Sequence, residues 1–507
     1  MVFVLTPLTS GCANVSEYFH NGFKVGPNYA APPAPVAREW IDAGDVRKDS
    51  GDLSQWWSVF KDPVLNDLVC SAYQQNLSLK AAGFRVLQAR AQRSIDIGKL
   101  LPQTQTMNGD FTRYGLSSAT TNSIANFPGT TRFYSQWDYG FNLSWELDFW
   151  GRLRRAIESD TATLDASVDN YDDVLVTLLG DVATYYVNLR TYEQRIQYFH
   201  DNVKIQKDTL KIVNAKFKAG VETTQLDVAQ AQSTVEKTEA QIPELEIGLR
   251  QANNQLCILL GIPPQVLQAR LKAAGIPVAP ADVAAGIPAD LLRRRPDVRK
   301  AERQAAAQSA QIGIAAAEFY PHISINGTLQ YSANRLPDLF TQPALNGNIG
   351  PAFSWNILNY GRIVNNVRLQ DAKLQELVAT YQNTVLSAAQ EVENGLVTYL
   401  RAQNRKNSLA ASTRHADEAV RIAVKQYNAG TVDLTRVTQL QTTLVELQDT
   451  LAQSKGEIAT GLIQVYRGLG GGWEIRNSGC TTTEADQPTQ RVQLGTPRAV
   501  ESARVAQ

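Results

Sequence analysis

The chain has no long hydrophobic run. Nowhere do 18 apolar residues follow one another, so no transmembrane helix is expected. Cysteine is scarce: Cys12, Cys70, Cys257 and Cys480 are the only four in 507 residues, with neither a C-x-x-C nor a disulfide-framework spacing. Cys70 in "LVCSAY" and Cys257 in "QLCILL" sit in apolar helical patterns and read as small core residues. The four histidines never fall at i, i+4, and H-E-x-x-H is absent, so no metal site and no cofactor are expected. Neither sign of charge dominates. The 49 basic and 49 acidic residues cancel, which argues against a protein defined by bulk attraction to nucleic acid. No G-x-S-x-G, Walker loop or acid–base pair stands out, so no catalytic residue is assigned and no enzyme is expected.

Proline and glycine are missing where they would interrupt a helix. Residues 152–219 and 362–429 hold no proline and one glycine each, Gly180 and Gly395. Each stretch reads as one continuous helix, about 100 Å long at 1.5 Å per residue. In the first, Leu164, Val168, Tyr171, Leu175, Leu178, Val182, Tyr185 and Leu189 alternate steps of four and three. That 3.5-residue period is the mark of left-handed supercoiling against neighbouring helices. A rod of this length does not fit a compact domain, so an elongated molecule is expected.

The two stretches are copies. Gly151 and Gly361 match at an offset of 210, as do Val168/Val378, Tyr171/Tyr381 and Val182/Val392, and "KFKAGV" answers "QYNAGT". Upstream, "LLPQTQTMNGDF" (100–111) answers "FYPHISINGTLQ" (319–330) at an offset of 219.

Before each glycine the period changes to two. In 136–148, Trp137, Tyr139, Phe141, Leu143, Trp145 and Leu147 alternate with Asp138, Gly140, Asn142, Ser144 and Glu146. Segments 105–115, 322–332 and 350–358 alternate likewise, giving each unit two strands joined by polar loops (116–135 and 333–347). Ten alternating residues rich in aromatics fit a tilted transmembrane β-strand; a soluble two-sheet cap is the other reading. On the membrane reading, Trp137, Trp145, Trp150 and Trp355 anchor the interface, and Arg152, Arg154, Arg155 and Arg362 lie just outside the bilayer. Gly151 and Gly361 turn strand into helix, and Pro102 and Pro321 turn helix back into strand. Four strands cannot close a barrel in lipid, so copies must share one: two give eight strands, three give twelve. The polar faces favour a wet lumen and three copies.

"FKVGPNYAAPPAPVAREW", "WWSVFKDPVLNDLVCSAYQQNLSLKAA", "WELDFWGRLRRAIE", "DLLRRRPDVRKAE", "AAEFYPHISINGTL", "WNILNYGRIVNNVR" and "VYRGLGGGW" together resemble the outer membrane efflux protein family. These are the TolC-like channels, and the likeness is strongest to their lipoprotein, NodT-type branch. The resemblance covers about residues 23–473. It implies a homotrimeric, 12-stranded outer-membrane barrel on an α-helical periplasmic tunnel. It also implies a periplasmic adaptor and an inner-membrane pump of the RND type as partners, a protein set in outer-membrane lipid, and export of small molecules. A type I protein-secretion duct uses the same fold and stays open as an alternative, as does a structural envelope tether.

The expected organisation follows. Residues 1–12 are a residual lipoprotein signal ending at a lipidated Cys12, lacking the usual basic start and placing Thr9 where leucine is common. Residues 13–54 form a Pro-rich strap, 55–103 the first helices, 104–148 the first hairpin, and 149–289 a long helix, tip, return helix and linker. Residues 290–321 form the helix of the second repeat, its basic run an ion-pairing face, 322–358 the second hairpin, and 359–473 the second helix pair. The polar stretch 474–507 reads as a disordered tail. In the family, acids just after the second tip's glycine ring the periplasmic aperture. Here the matching places hold Arg436 and Gln439; the local acids are Asp433 and, on the first tip, Glu222 and Asp227. Arg436 is expected to pair with Asp227 or Asp433 in a resting gate.

Overall fold

The computed structural model describes residues 15–42, 44, 52–119, 127–221, 223–280, 283 and 285–480. Cys12, Glu222 and residues 481–507 lie outside them. After helices α1 (Pro63–Gln75) and α2 (Leu77–Gly98) come strands β1 (Thr104–Gly115) and β2 (Phe133–Leu147) and the long helix α3 (Arg152–Lys218). The chain returns through α4 (Gln225–Glu239) and α5 (Gln241–Leu259), then α6 (Pro296–Ala317) opens the second unit. Strands β3 (His322–Ala333) and β4 (Leu345–Ser354), the long α7 (Arg362–Asn428), α8 (Leu434–Gly468) and the short α9 (Ile475–Ser478) complete it.

The two long helices have 67 residues each, about 100 Å apiece. Asp62 caps α1 by accepting from the amides of Val64 and Leu65, with Pro63 in the first turn where its missing N–H costs nothing. The return path is two helices in the first unit and one of 35 residues in the second. Pro243 accounts for the difference, since proline in a helix interior removes a hydrogen bond and clashes with the preceding turn. Pro296 restarts the helix after the short Leu291–Arg294 turn, so the segment expected as one helix from residue 290 is two. Pro296 forces Arg295 into an extended conformation (φ −74°, ψ 119°).

The strands form one antiparallel sheet in the order β1-β2-β3-β4, joining the hairpins of both units. The last strand differs from expectation: it pairs over Leu345–Ser354, not 350–358. Its partner ends at His322, directly after Pro321, so among the described residues no strand pairs with 355–358. The main core lies midway along the helices, where Trp56, Trp57 and Phe60 pack with Leu179, Tyr186, Tyr399 and Leu462. Gly470 and Gly472, at φ +72° and +99°, bring "GLGGGW" against it; a Cβ on Gly472 would meet Leu179 at 2.8 Å.

Residues 474–480 are ordered, contrary to the reading of a tail from 474. Ile475 is fully buried, Arg476 pairs with Asp172 at 2.9 Å, and Cys480 forms a disulfide with Cys70. Cys70 is therefore a cross-link and not only a small core residue. Cys257 is free and buried.

Candidate functional site

The sheet has two unlike faces. One carries the rows Phe111–Trp137–Ala333, Met107–Phe141–Leu329–Gly347 and Trp145–Ile325–Pro351. The other carries Asp110–Asp138–Ser332, Thr106–Asn142–Thr328–Asn348 and Ser144–Asn326–Gly350. On the polar face Asp138 accepts from Ser332 Oγ (2.5 Å) and Gln136 Nε2 (2.9 Å), and Ser144 Oγ donates to Asn326 (2.8 Å). Trp137 sits on the apolar face with Phe111, ring centroids 4.5 Å apart. Among the described residues, strands β1 and β4 each keep one edge without a partner.

The polar face continues into the helices. Glu146, at the end of β2, accepts Arg152 Nη2 on both carboxylate oxygens (2.8 and 2.7 Å) and Arg152 Nε on one (3.2 Å), and faces His322 Nδ1 at 3.1 Å, while His322 Nε2 lies 3.4 Å from Glu318. Arg152 shares one face of α3 with Ser159, Thr163 and Asn170; Glu318 shares one face of α6 with Gln311 and Gln304. These faces line a concave pocket of about 720 Å³ that also takes residues from α2 and α7. An adjacent face of α3 carries Arg155, Glu158 and Asp169. It meets the N-terminal strap and the basic run of α6, where Arg299 pairs with Asp169 (3.0 Å) and Asp172 (3.1 Å). That run thus binds acids of a neighbouring helix.

The turn between strand and helix is built alike in both units. Gly151 and Gly361 have φ +80° and +81°, values that favour glycine. Trp145 Nε1 donates to Leu100 O and Trp355 Nε1 to Phe319 O, each at 3.0 Å, tying the arm that leaves the sheet to the arm that enters it. Leu100 and Phe319 are themselves equivalent across the repeat. Trp150 joins the units, donating to Pro321 O (2.9 Å) and stacking on Tyr320 at 4.4 Å. Trp355 lies beyond the last paired residue of β4, and Trp150 lies in the turn, so neither belongs to a strand. Pro102 and Pro321 stand between the ends of α2 and α6 and the starts of β1 and β3.

The arginines of the first turn hold the strap. Arg155 is 0% exposed; it donates to Val25 O (3.1 Å), Gly26 O (2.9 Å), Asn28 Oδ1 (3.2 Å) and Glu158 (2.8 Å). Arg154 donates to Gly22 O and Phe23 O at 2.6 and 2.8 Å. Asp148 caps the helix through the amides of Leu153 and Arg154. A Cβ on Gly151 would meet Lys24 at 2.6 Å, so the strap presses on this turn. The sequence flagged these arginines by their number, yet gave no sign that their partners were main-chain carbonyls some 130 residues upstream.

At the tips the acids serve as helix caps. Asp227 closes a capping box with Thr224, and Asp433 accepts from the main-chain N–H of Arg436 (2.9 Å). Among the described residues Arg436 has no ion pair, so the expected pairing with Asp227 or Asp433 is absent within one chain. Gln439 is exposed. The tips are held by apolar packing of Val213, Ala423, Leu434 and Val437 around Tyr427, whose ring and carbonyl Lys216 also contacts.

Comparison with known proteins agrees with this architecture. The family model described as "Outer membrane efflux protein" matches residues 68–262 and 287–471, one block in each repeat. Nodulation protein T of Rhizobium leguminosarum bv. viciae is 31% identical over 89% of this chain and 90% of its own length. Pyoverdine export outer membrane protein OpmQ of Pseudomonas putida is 30% identical over 91% of this chain and 94% of its own. A solved structure of the outer-membrane channel OprN superposes with a TM-score of 0.82 at 30% identity, covering 89% of this chain and 99% of that one. With two repeats, four strands and two long helices matching throughout, the chain belongs to the outer membrane efflux protein family.

Proposed function

We propose that three copies join β1 of one to β4 of the next, closing a 12-stranded outer-membrane barrel above a tunnel of helices. The duct conducts small molecules passively out of the cell. An inner-membrane pump of the RND type expels them, and a periplasmic adaptor meets the tunnel's tips. The observation that carries this reading is the sheet: one face apolar, one polar, two open edges, and a polar face that runs on into the helices through Glu146, Arg152 and His322. Open edges in lipid would leave backbone groups unpaired at a cost of several kcal/mol each, and closure on neighbouring copies removes them. Twelve strands leave room for water, which suits Asp138, Asn142 and Ser144. The Cys70–Cys480 disulfide suits an oxidising compartment such as the periplasm. The similarity to OpmQ, a pyoverdine export outer membrane protein, supports small-molecule cargo. Cys12 supplies the lipid anchor that starts the strap.

The test is mass in mild detergent combined with single-channel recording. A trimer with stable conductance is expected; a conducting dimer, or a trimer that conducts nothing, overturns the reading.

A further inference from the structure

The concave pocket below the sheet has a charge that the reading above does not require. Arg85 on α2, Lys300 on α6 and Lys373 on α7 line it, among Ser, Thr, Asn and Gln side chains, and no carboxylate does. This occurs in a chain whose formal charges sum to zero. Arg85 and Lys373 are exposed, and Lys300 is half-buried. None of the three forms an ion pair among the described residues. The carboxylate that feels Lys300 is the half-buried Asp173, which also feels Asp297, and Arg295 already binds Asp297 at 2.7 Å. The neighbouring glutamines are occupied with each other: Gln308 Nε2 donates to Gln370 O (3.0 Å) and Oε1 (2.9 Å).

We propose that this belt, lying on the same side of the helical layer as the polar face of the sheet, makes the upper tunnel selective for anions and favours small organic anions as cargo. The inference rests on the duct reading. On that reading three copies set nine cations around one lumen. A concave wall of one sign concentrates the opposite ion, and rings of Arg and Lys select anions in pores. The field reaches across a wide lumen only where salt is low, because the screening length is about 30 Å at 0.01 M and about 3 Å at 1 M.

The full chain is recorded in planar bilayers under a tenfold KCl gradient, and again with glutamate replacing chloride. Wild type is expected to prefer both anions to potassium. In R85Q/K300Q/K373Q the anion-to-cation permeability ratio should fall about threefold at low salt, with the difference disappearing near 1 M. R85Q and K373Q alone, both at exposed positions, should each give a part of that fall and guard against misfolding of the triple variant. Comparing variant with wild type cancels whatever selectivity the tips contribute. An unchanged ratio in a conducting trimer overturns the inference and leaves the duct reading standing. A trimer with no conductance overturns both.

Discussion

The two strand-to-helix turns share a frame and differ in what covers it. Gly151 and Gly361 adopt the same backbone, and Trp145 and Trp355 make the same 3.0 Å bond to equivalent carbonyls. Around that frame, Asp148, Trp150, Arg154 and Arg155 of the first turn are answered by Leu358, Tyr360, Val364 and Asn365. The first set holds three charged side chains, of which Arg154 and Arg155 grip the chain's own strap. The second is largely apolar and open to solvent in the single chain, with Leu358 78% and Tyr360 91% exposed. A bend needs the glycine and the clamp. What lies over the bend is a separate matter, and here one copy is covered by the strap while the other stays exposed in the single chain.

The largest expected effect separates the two turns. Arg155→Ala leaves two strap carbonyls without their buried donor and should cost about 3 kcal/mol, since hydrogen bonds to charged groups are worth about 1.5–3 each. Limited proteolysis should then cut the strap near residues 22–30. The equivalent Asn365→Ala should stay within about 0.5 kcal/mol. Equal losses would show that the strap is not what makes the first turn different.

The second turn is broken from the other side. Leu358→Asp and Tyr360→Asp should leave the single chain's thermal stability unchanged and weaken trimer assembly, by about 2 kcal/mol for a charge buried in the contact. Heat-modifiable trimer on gels is the readout. Undiminished trimer from both variants would leave this apolar surface without a role between copies.

A third contrast lies just beyond the turns. Asp96 of α2 faces Asp160 of α3, where the second unit has Ala315 and Gln370. Burial, together with the hydrogen bond and charge of Asp96, pushes the Asp160 carboxyl up to about 6, opposed by Lys99. Asp96 moves the other way: its burial is outweighed by the hydrogen bonds from Asp160 and Lys99. A carboxyl raised above its unfolded value near 3.9 binds more protons folded than unfolded. Its contribution is therefore full below pH 4 and lost as pH rises through about 6. The depressed Asp96 offsets part of this below pH 4. Asp160→Asn should raise the melting temperature at pH 8 by a few degrees and change it little at pH 5. Gln370→Ala should give the same small shift at both pH values.

The clamps themselves give a smaller effect. Trp145→Phe removes the donor to Leu100 O at a half-buried site, for about 1 kcal/mol; Trp355→Phe does the same at an exposed site, where water can replace it, for less. Thermal unfolding of the two variants ranks them.

Much of this was legible in the sequence because it is periodic. Two long helices, four alternating strands and the glycine turns follow from steps of 3.5 and 2 and from the absence of breakers. The end of β4 was not, because pairing stops where the partner strand stops, and that is set by Pro321 on another segment. Nor were the contacts of Arg155, or of Cys70 with Cys480, 410 residues apart. Each joins side chains to distant places with no repeat to announce them. The capping roles of Asp227 and Asp433 were within reach, since each stands at a helix start after a glycine turn.

The tips carry the comparison to its far end and to its smallest expected effect. Arg436 of the second tip stands where the first has Leu226, 74% exposed. Asp433 is spent on the amide of Arg436, and Asp227 on its own capping box, so within one chain the guanidinium is left to solvent among the described residues. In a trimer with the tips drawn together, three such cations would repel one another unless acids of adjacent tips meet them. Asp227, Asp433 or Glu222 could serve, with Gln439 one turn further on. Exposed pairs of this kind are worth about 0–1 kcal/mol each, enough to bias such an arrangement and too little to close a tunnel alone. Arg436→Glu should therefore raise single-channel conductance, while Leu226→Glu, which has no cation to lose, should raise it less. Thr224→Ala, which disturbs a cap and no charge pair, separates loosening of the tip from loss of an ion pair. Equal conductance in wild type and Arg436→Glu, with the trimer intact, would assign closure to apolar packing and take Arg436 out of the gate.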